Sequence, residues 1–427
     1  MYFGYITRLK NLKKHSNADR LLVGECFGNK VIVSLDYEEN QLGVYFPVDG
    51  QLSEEFANKH NLVRKKDENG NNIGGYLDPD KRNIKAVKLR GEQSDGLFMS
   101  LDCLKDYVDV TTLEEGFKFD TLNGKQICCK YIPKPAYGKR TSGDPNRIKK
   151  AKVNQYPQFV EHIDTEQLAY NMDKFKKGDT IYITLKMHGT SQRTAYTQKV
   201  VEKTNWFREL FGLEPKKEVT YDFVTGTRRV VLDGFESESS YYGGDLFRKH
   251  WHDFFKARLN KGEEVFYEVV GYTDKNQLIM GEGDNRKTGD KDFISQYGPT
   301  TKFTYGCQEG QCKAYVYRMT YTSPEGLVIE YPTELVKQRC EEMGIPFVPI
   351  FDKFIFTTKQ ALMKHVEKYY DGTDPIGLTH VREGVVVRID NRPTFTALKH
   401  KNFYFKAIEG IIKDSAKAPD MEEAQEI

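Results

Sequence analysis

Cysteine is scarce in this chain, and what there is does not form pairs. Seven residues are scattered through 427, an odd number. They give no disulfide framework, so a reducing, cytoplasmic setting is expected. Cys307 and Cys312 could begin a metal hook, but no second Cys/His pair lies near enough to complete four ligands. Two loop thiols are therefore expected instead of a zinc site. An excess of one charge is missing as well: Lys+Arg 64 against Asp+Glu 62 leaves +2. The total says nothing about nucleic acid, which would need local basic surfaces. Long hydrophobic runs are also lacking. Stretches such as Val385-Val386-Val387 fall far short of a membrane span. Met1-Tyr2-Phe3-Gly4-Tyr5 has no basic segment followed by an apolar block, so no secretory signal is read there. No membrane partner is expected, and no internal repeat or low-complexity block is evident.

What is present is enough for real cores: 38% hydrophobic and 13% aromatic residues. The length points to about two or three domains. In residues 1–132 short apolar runs alternate with turns, among them Arg20-Leu21-Leu22-Val23, Val31-Ile32-Val33-Ser34 and Gly43-Val44-Tyr45-Phe46-Pro47. Regular short strands without long helices predict a small barrel or sandwich. The polar, Gly/Asn-rich stretch from Asp67 to Gly75 reads as an exposed loop. Residues 133–157 read as a basic linker, with Lys134, Lys139, Arg140, Arg147, Lys149, Lys150 and Lys152 against the single acid Asp144. Such a strap could also lie along a nucleic-acid backbone.

From 158 to 414 the pattern is mixed α/β. An N-cap at Asp164 or Thr165 predicts a helix running to Phe175. The strand Thr180–Leu185 delivers Lys186 at its end. Further strands are Val265–Val270, Tyr315–Tyr317 and Gly384–Arg388. Helices are predicted over Leu246–Asn260, Pro332–Met343 and Thr358–Tyr369 from 3.6-residue apolar spacing. Residues 415–427 read as an acidic, frayed tail. The fold class is α+β, with antiparallel sheets flanked by helices.

The chemistry concentrates in Lys186-Met187-His188-Gly189-Thr190-Ser191, then Glu383-Gly384, then Lys399-x-Lys401. A lysine amine attacks phosphorus only when unprotonated, against a reference pKa of about 10.4. Neighbouring cations, a divalent metal or partial burial activate it. Gly189 would let backbone approach a phosphate, and Ser191 adds a hydroxyl. Lys399 and Lys401, two apart, share one side of a strand and could offset phosphate charge in the transition state. Glu383 is an oxygen ligand of the kind Mg²⁺ prefers.

In this order the motifs resemble the ligase and capping-enzyme superfamily of covalent nucleotidyltransferases. Thr184–Ser191 is similar to its motif I, and His188 in place of Asp resembles the nick-sealing RNA ligases. Gly226-Thr227-Arg228-Arg229 resembles motif Ia, which implies that Arg228 and Arg229, with Arg193, hold the substrate end. Phe266–Gly271 resembles motif III, which implies that Glu268 touches the ribose. Tyr315-Val316-Tyr317-Arg318 resembles motif IIIa, which implies Tyr315 as a ring stacking on the base. Glu383–Arg388 and Leu398–Lys401 resemble motifs IV and V.

His15-Ser16-Asn17-Ala18-Asp19-Arg20-Leu21 resembles the tRNA-binding type of oligonucleotide-binding (OB) barrel. A barrel ahead of a ligase domain is similar to the Deinococcus-type RNA ligases. That likeness implies ATP-dependent sealing of an RNA 3′-OH to a 5′-phosphate through lysyl-AMP, with Mg²⁺ or Mn²⁺, on RNA or nicked RNA-containing duplexes; a monomer is expected. The chain departs from that family at Leu185, where many relatives have Glu, at Arg318, often acidic, and at Arg388, often lysine. Thr204–Val219, with Trp206, Phe207, Leu210 and Phe211, reads as an inserted helix that packs on the domain. Within the superfamily the alternatives are a capping guanylyltransferase or a DNA ligase, disfavoured because few residues follow Lys401. A non-catalytic RNA-binding protein is the alternative of another class.

Overall fold

The structure is a computed structural model. It describes residues 2–65, 68–69, 75, 77–131, 155–204, 206, 210–212, 214–228, 230–232, 234–235, 242 and 245–413. Most of the expected linker, the tail 415–427, most of the 67–75 loop, Phe207 and Arg229 lie outside the described residues. The described residues form two compact units. One draws on Met1–Lys134, Asp284–Pro299 and Phe403–Asp414; the other draws on Pro135–Gly283 and Thr300–Asn402. Asp284–Pro299 and Phe403–Asp414 therefore belong with the first unit and not with the stretch 158–414, a correction to the division expected from the sequence.

The first unit is a set of short antiparallel strands, as its alternating runs predict. They are β1 (Gly4–Arg8), β2 (Lys10–Lys14), β3 (Leu21–Cys26), β4 (Asn29–Ser34), β5 (Leu42–Pro47), β6 (Gly50–Leu52), β7 (Ala86–Leu89), β8 (Glu92–Ser100), β9 (Lys118–Phe119), β10 (Thr121–Leu122), β11 (Lys125–Gln126) and β12 (Cys128–Lys130). Five of them form a sheet in the order β7-β8-β5-β1-β9, β2-β3-β4 form a meander, and β10-β11 and β12-β6 pair separately. Among the described residues these sheets do not close into one continuous ring. Inward residues Ile6, Val44, Phe46 and Leu52 meet Phe56 of helix α1 (Glu54–Lys59), whose N-cap Ser53 accepts from the Phe56 amide. His15 is buried: its Nδ1 accepts from the Asn17 amide and its Nε2 lies 3.0 Å from the Leu89 carbonyl. It serves turn structure.

The second unit contains two five-stranded sheets. Its strands are β13 (Glu166–Gln167), β14 (Thr180–Lys186), β15 (Thr190–Lys203), β16 (Lys216–Gly226), β17 (Glu263–Gly271), β18 (Gly283–Asp284), β19 (Thr300–Thr301), β20 (Cys312–Thr322), β21 (Val328–Glu330), β22 (Ile350–Ile355), β23 (Gly384–Ile389) and β24 (Thr396–Lys401). One sheet runs β13-β24-β23-β14-β22, the other β16-β15-β17-β20-β21. In the first sheet Ile181, Ile183, Val385 and Val387 alternate inward. There they meet Leu362 and Val366 of helix α5 (Lys359–Tyr369). Period-two alternation sends Thr184, Lys186 and Val386 to the opposite face. Helix α2 (Leu246–Lys256) places Phe255 against Tyr267 at 4.6 Å, and helix α4 (Thr333–Met343) follows β21.

One local expectation fails. The helix expected after Asp164 is replaced by β13 and two single turns, because Glu166 and Gln167 pair with Leu398 and Lys399 of β24 while Leu168 is buried. A tertiary ladder outweighs a good N-cap. In the 204–219 insertion Trp206 and Leu210 are helical, Trp206, Leu210 and Phe211 are exposed, and residues from Lys216 onward form the start of β16.

Helices α3 (Lys291–Tyr297) and α6 (Phe403–Lys413) join the first unit through specific contacts. Phe293 stacks on Tyr404 at 4.4 Å, and Asp290 accepts from Lys88 Nζ at 2.7 Å, the Tyr404 hydroxyl at 2.5 Å and the Phe293 amide at 3.1 Å. The bond from Lys88 first, then those from Tyr404 and the amide, hold the Asp290 carboxyl well below the usual carboxylate range. A depressed folded-state value means its stabilisation is present above the unfolded pKa of about 3.9 and is lost as pH falls below it. Asp290→Asn should therefore lower the urea midpoint at pH 6 and flatten its decline below about pH 4. Equal acid slopes for both proteins would count against this role.

Candidate active site

The site begins with three strands in register. Lys186 at the end of β14 lies opposite Gly384 at the start of β23, and Gly384 lies opposite Lys401 at the end of β24. Gly384 has φ +143°, and a Cβ there would overlap the His400 carbonyl oxygen and Lys401 Cα. Only glycine lets the strands meet this way. The residue before it, Glu383, is 3% exposed. Its Oε1 lies 2.7 Å from Lys186 Nζ and 3.3 Å from Lys401 Nζ. Its Oε2 is buried without a hydrogen-bond partner among the described residues, and His188 Nδ1 is 3.9 Å from it.

Met187–Gly189 carries the chain from one sheet to the other, and side chains hold two of its amides. His188 N donates to the Tyr305 hydroxyl at 2.7 Å, and Gly189 N donates to Glu268 Oε1 at 3.0 Å. A Cβ at Gly189 would overlap the Val269 carbonyl oxygen and Glu268 Cγ. Its glycine thus serves close approach to β17. At the start of β15, Thr190 Oγ1 accepts from Arg248 Nη2 at 2.8 Å, and Arg248 is fixed by Asp245 at 3.1 Å.

Between the sheets lies a cavity of about 780 Å³, its open mouth included. Thr184, Leu185, Lys186, Val386 and Arg388 form one wall; Ser191, Glu268 and Tyr317 form the other, with His162, Arg228, Thr333 and Phe395 around them. A register shift between Phe266 and Tyr267 leaves Tyr317 as an extra residue in β20. The bulge re-aims that ring, whose hydroxyl reaches Ser191 Oγ at 2.9 Å and His162 Nδ1 at 3.2 Å. Burial pushes the Tyr317 phenol well above its ordinary range, with Glu268 adding to the shift.

Of the expected residues, Lys186, Ser191, Glu268 and Arg228 line the cavity, while His188, Gly189, Glu383 and Lys401 surround the lysine. Lys399 pairs with Val386, one step along the same face from Lys401. Tyr315 is buried opposite Glu268 and does not line the cavity; Tyr317 does. Arg228 meets Asp164 at 3.3 Å. Arg193, expected at a substrate end, is buried elsewhere. It stacks on Phe159 at 3.7 Å, donates to Thr227 O at 3.1 Å and to Val160 O, and pairs with Glu264 at 3.3 Å. Burial lifts the Glu264 carboxyl to about 7, against the opposing pull of Arg193.

The departures noted in the sequence find partners. Arg318 makes a bidentate bond to Glu330 at 3.0 and 2.9 Å. Arg388 lies 3.3 Å from Asp390 and donates to Tyr331 O at 2.6 Å. Leu185 lines the cavity and its amide donates to Pro349 O. Sequence reading missed His162, Tyr305 and Tyr317 in these roles. Only Tyr317 carried a signal, as the second aromatic of its motif.

No protein-family model matches the sequence, and no curated protein matches it. Solved structures do. The chain is similar to the RNA ligase of Naegleria gruberi in a lysine-to-alanine variant with ATP and Mn. The TM-score is 0.57 at 13% identity, over 95% of this chain and 97% of that one. The same protein with PPi gives 0.56 at 13%, over 93% and 96%. A glutamate-to-alanine variant with AMP and Mn gives 0.57 at 13%, over 94% and 97%. At this identity the likeness establishes the fold, a mixed α+β architecture of antiparallel sheets, along nearly the whole chain.

The two arginines should separate cleanly. Arg193→Ala strands a buried carboxylate and should cost about 3–5 kcal/mol, read from urea unfolding. Arg228→Ala, whose partner Asp164 is exposed, should change stability by less than about 1 kcal/mol. Equal costs would contradict the division between a structural and a cavity arginine.

Proposed function

We propose that this chain is an ATP-dependent RNA ligase that joins an RNA 3′-OH to a 5′-phosphate at nicks. The observation that carries the reading is the convergence of Lys186 and Lys401 on one buried oxygen of Glu383, at the edge of an open cavity that Lys186, Ser191, Glu268 and Tyr317 line. The fold shared with an RNA ligase solved with ATP, AMP and PPi supports it. The finer parts are likewise proposals: membership of the Deinococcus type, an OB-like first unit that contacts RNA, a monomeric state and a cytoplasmic setting.

In the first step the Lys186 amine attacks the α-phosphorus of ATP; a phosphoramidate bond forms and pyrophosphate leaves. The amine must first lose its proton and its contact with Glu383. Lys401, on the same oxygen, is placed to keep that carboxylate neutralised when Lys186 departs, and Lys399 and Lys401 offset charge on the phosphates. Glu268 is assigned to the ribose and Tyr317, in place of Tyr315, to the base, since Tyr317 is the ring on the cavity wall. AMP then passes to the 5′-phosphate, held by Arg228, and the 3′-OH displaces AMP to seal the strand.

Glu383 fits a hard cation, because Oε2 is buried and lacks a partner among the described residues. No cluster of three or more His, Cys, Asp or Glu that could hold a metal stands among those residues. Mg²⁺ or Mn²⁺ would thus take most of its oxygens from phosphate and water. Bound there, it would supply positive charge to the phosphates as the bond to the leaving group breaks.

Incubation with α-phosphate-labelled ATP should label the wild type, leave Lys186→Ala unlabelled, and label Lys401→Ala about 100-fold more slowly. Chase with nicked duplexes should seal those with RNA on the 3′-OH side. Labelling by GTP alone, or equal sealing of all-DNA nicks, would overturn the proposal.

A further inference from the structure

Tyr305 lies outside every motif described for the site, yet it holds the nucleophile's turn. It is 1% exposed and has a left-handed backbone, φ +51°, followed by Gly306 at φ +73°. A bulky side chain is rarely found there, and such backbone persists only where its surroundings impose it. Here Gly377 packs so closely that a Cβ on it would overlap Gly306 N and the Tyr305 backbone. The Tyr305 ring stands edge-on to His380 at 4.6 Å and 82°. His380 is fully buried, its Nδ1 lies 2.9 Å from the Val381 carbonyl, and burial lowers its pKa, keeping it neutral. Phe303, two residues earlier, meets the rings of both His188, at 4.7 Å, and His380, at 5.2 Å.

His188 is therefore gripped twice, at its backbone by the Tyr305 hydroxyl and at its ring by Phe303. The accepted hydrogen bond is short, 2.7 Å, and fixes the amide two residues beyond Lys186. It sets the direction in which the chain leaves β14. Burial pushes the Tyr305 phenol well above its ordinary range, so the group stays a neutral hydroxyl while accepting that bond. Tyr305 itself is not among the residues that line the cavity.

We infer that Tyr305 is a positioning residue for lysine adenylylation. Its hydroxyl holds the Met187–Gly189 turn so that the Lys186 amine meets the α-phosphorus in line, while Tyr305 never touches the nucleotide. The inference rests on the ligase reading above. A part-buried amide left without its acceptor shifts the turn, and small misplacements of a reacting group are felt strongly in rate.

The test is single-turnover labelling of wild type and Tyr305→Phe with α-phosphate-labelled ATP over a range of ATP concentrations. The Phe ring keeps the packing on His380 and removes only the oxygen. The labelling rate should fall about 10- to 100-fold, with half-saturating ATP within about twofold of wild type. Sealing of nicks supplied with AMP already on the 5′ end, where Lys186 is not the nucleophile, should change less than about threefold. A Tyr305→Phe protein that labels at the wild-type rate overturns the inference, and so does a rise in half-saturating ATP that matches the loss in rate. Should that variant not fold, 3-fluorotyrosine at position 305 keeps the shape and weakens the acceptor oxygen. Slower labelling is then expected, and an unchanged rate overturns the inference. A wild type that takes no label overturns the ligase reading together with this one. A labelled wild type and an equally fast Tyr305→Phe overturn this one alone.

Discussion

Everything at the site depends on one buried carboxylate. Glu383 is almost wholly removed from water, and an ion in that position must find opposite charge or be strongly disfavoured. It finds two ammonium groups on one oxygen, Lys186 from β14 and Lys401 from β24. Residues far apart in the chain thus become neighbours through a single side chain. Gly384 makes this geometrically possible, because its φ of +143° and its contact with the His400 carbonyl exclude any Cβ. The acid and the glycine act as a unit: one supplies charge, the other lets three strands meet closely enough to share it.

From that pinch the remaining geometry follows. Strand alternation sends Ile181, Ile183, Val385 and Val387 into the core beneath α5 and turns Thr184, Lys186 and Val386 toward the cavity. Functional groups on packed strands are held more tightly than groups on loops. The one irregular link, Met187–Gly189, is secured by side chains from two further segments, Tyr305 and Glu268. On the far wall, the β20 bulge turns Tyr317 toward Ser191.

Much of this was legible in the sequence. Lys186 at a strand end, the Glu-Gly start of β23 and the paired lysines of β24 were all placed by local pattern, since strands announce themselves by period two and glycine by its exceptional backbone. The helices α2, α4 and α5 form where apolar spacing predicts them. What escaped was whatever depends on tertiary pairing. Glu166 and Gln167 joined β24 in spite of an N-cap that favours a helix. A bulge invisible to alternation exchanged Tyr315 for Tyr317 at the cavity. Arg193 read as a substrate contact through the motif resemblance, but Glu264 and Phe159 hold it inside. The return of residues 284–299 and 403–414 to the first unit rests on Lys88, Asp290 and Tyr404, whose spacing along the chain gives no hint of contact.

The central claim is that Lys186, and neither of the lysines beside it, carries the nucleotide. Peptide mapping by mass spectrometry after incubation with ATP and Mg²⁺ addresses it directly. AMP should appear on the peptide containing Lys186 and on no other. AMP on Lys399 or Lys401, or no adduct under conditions in which the protein seals nicks, would contradict the claim.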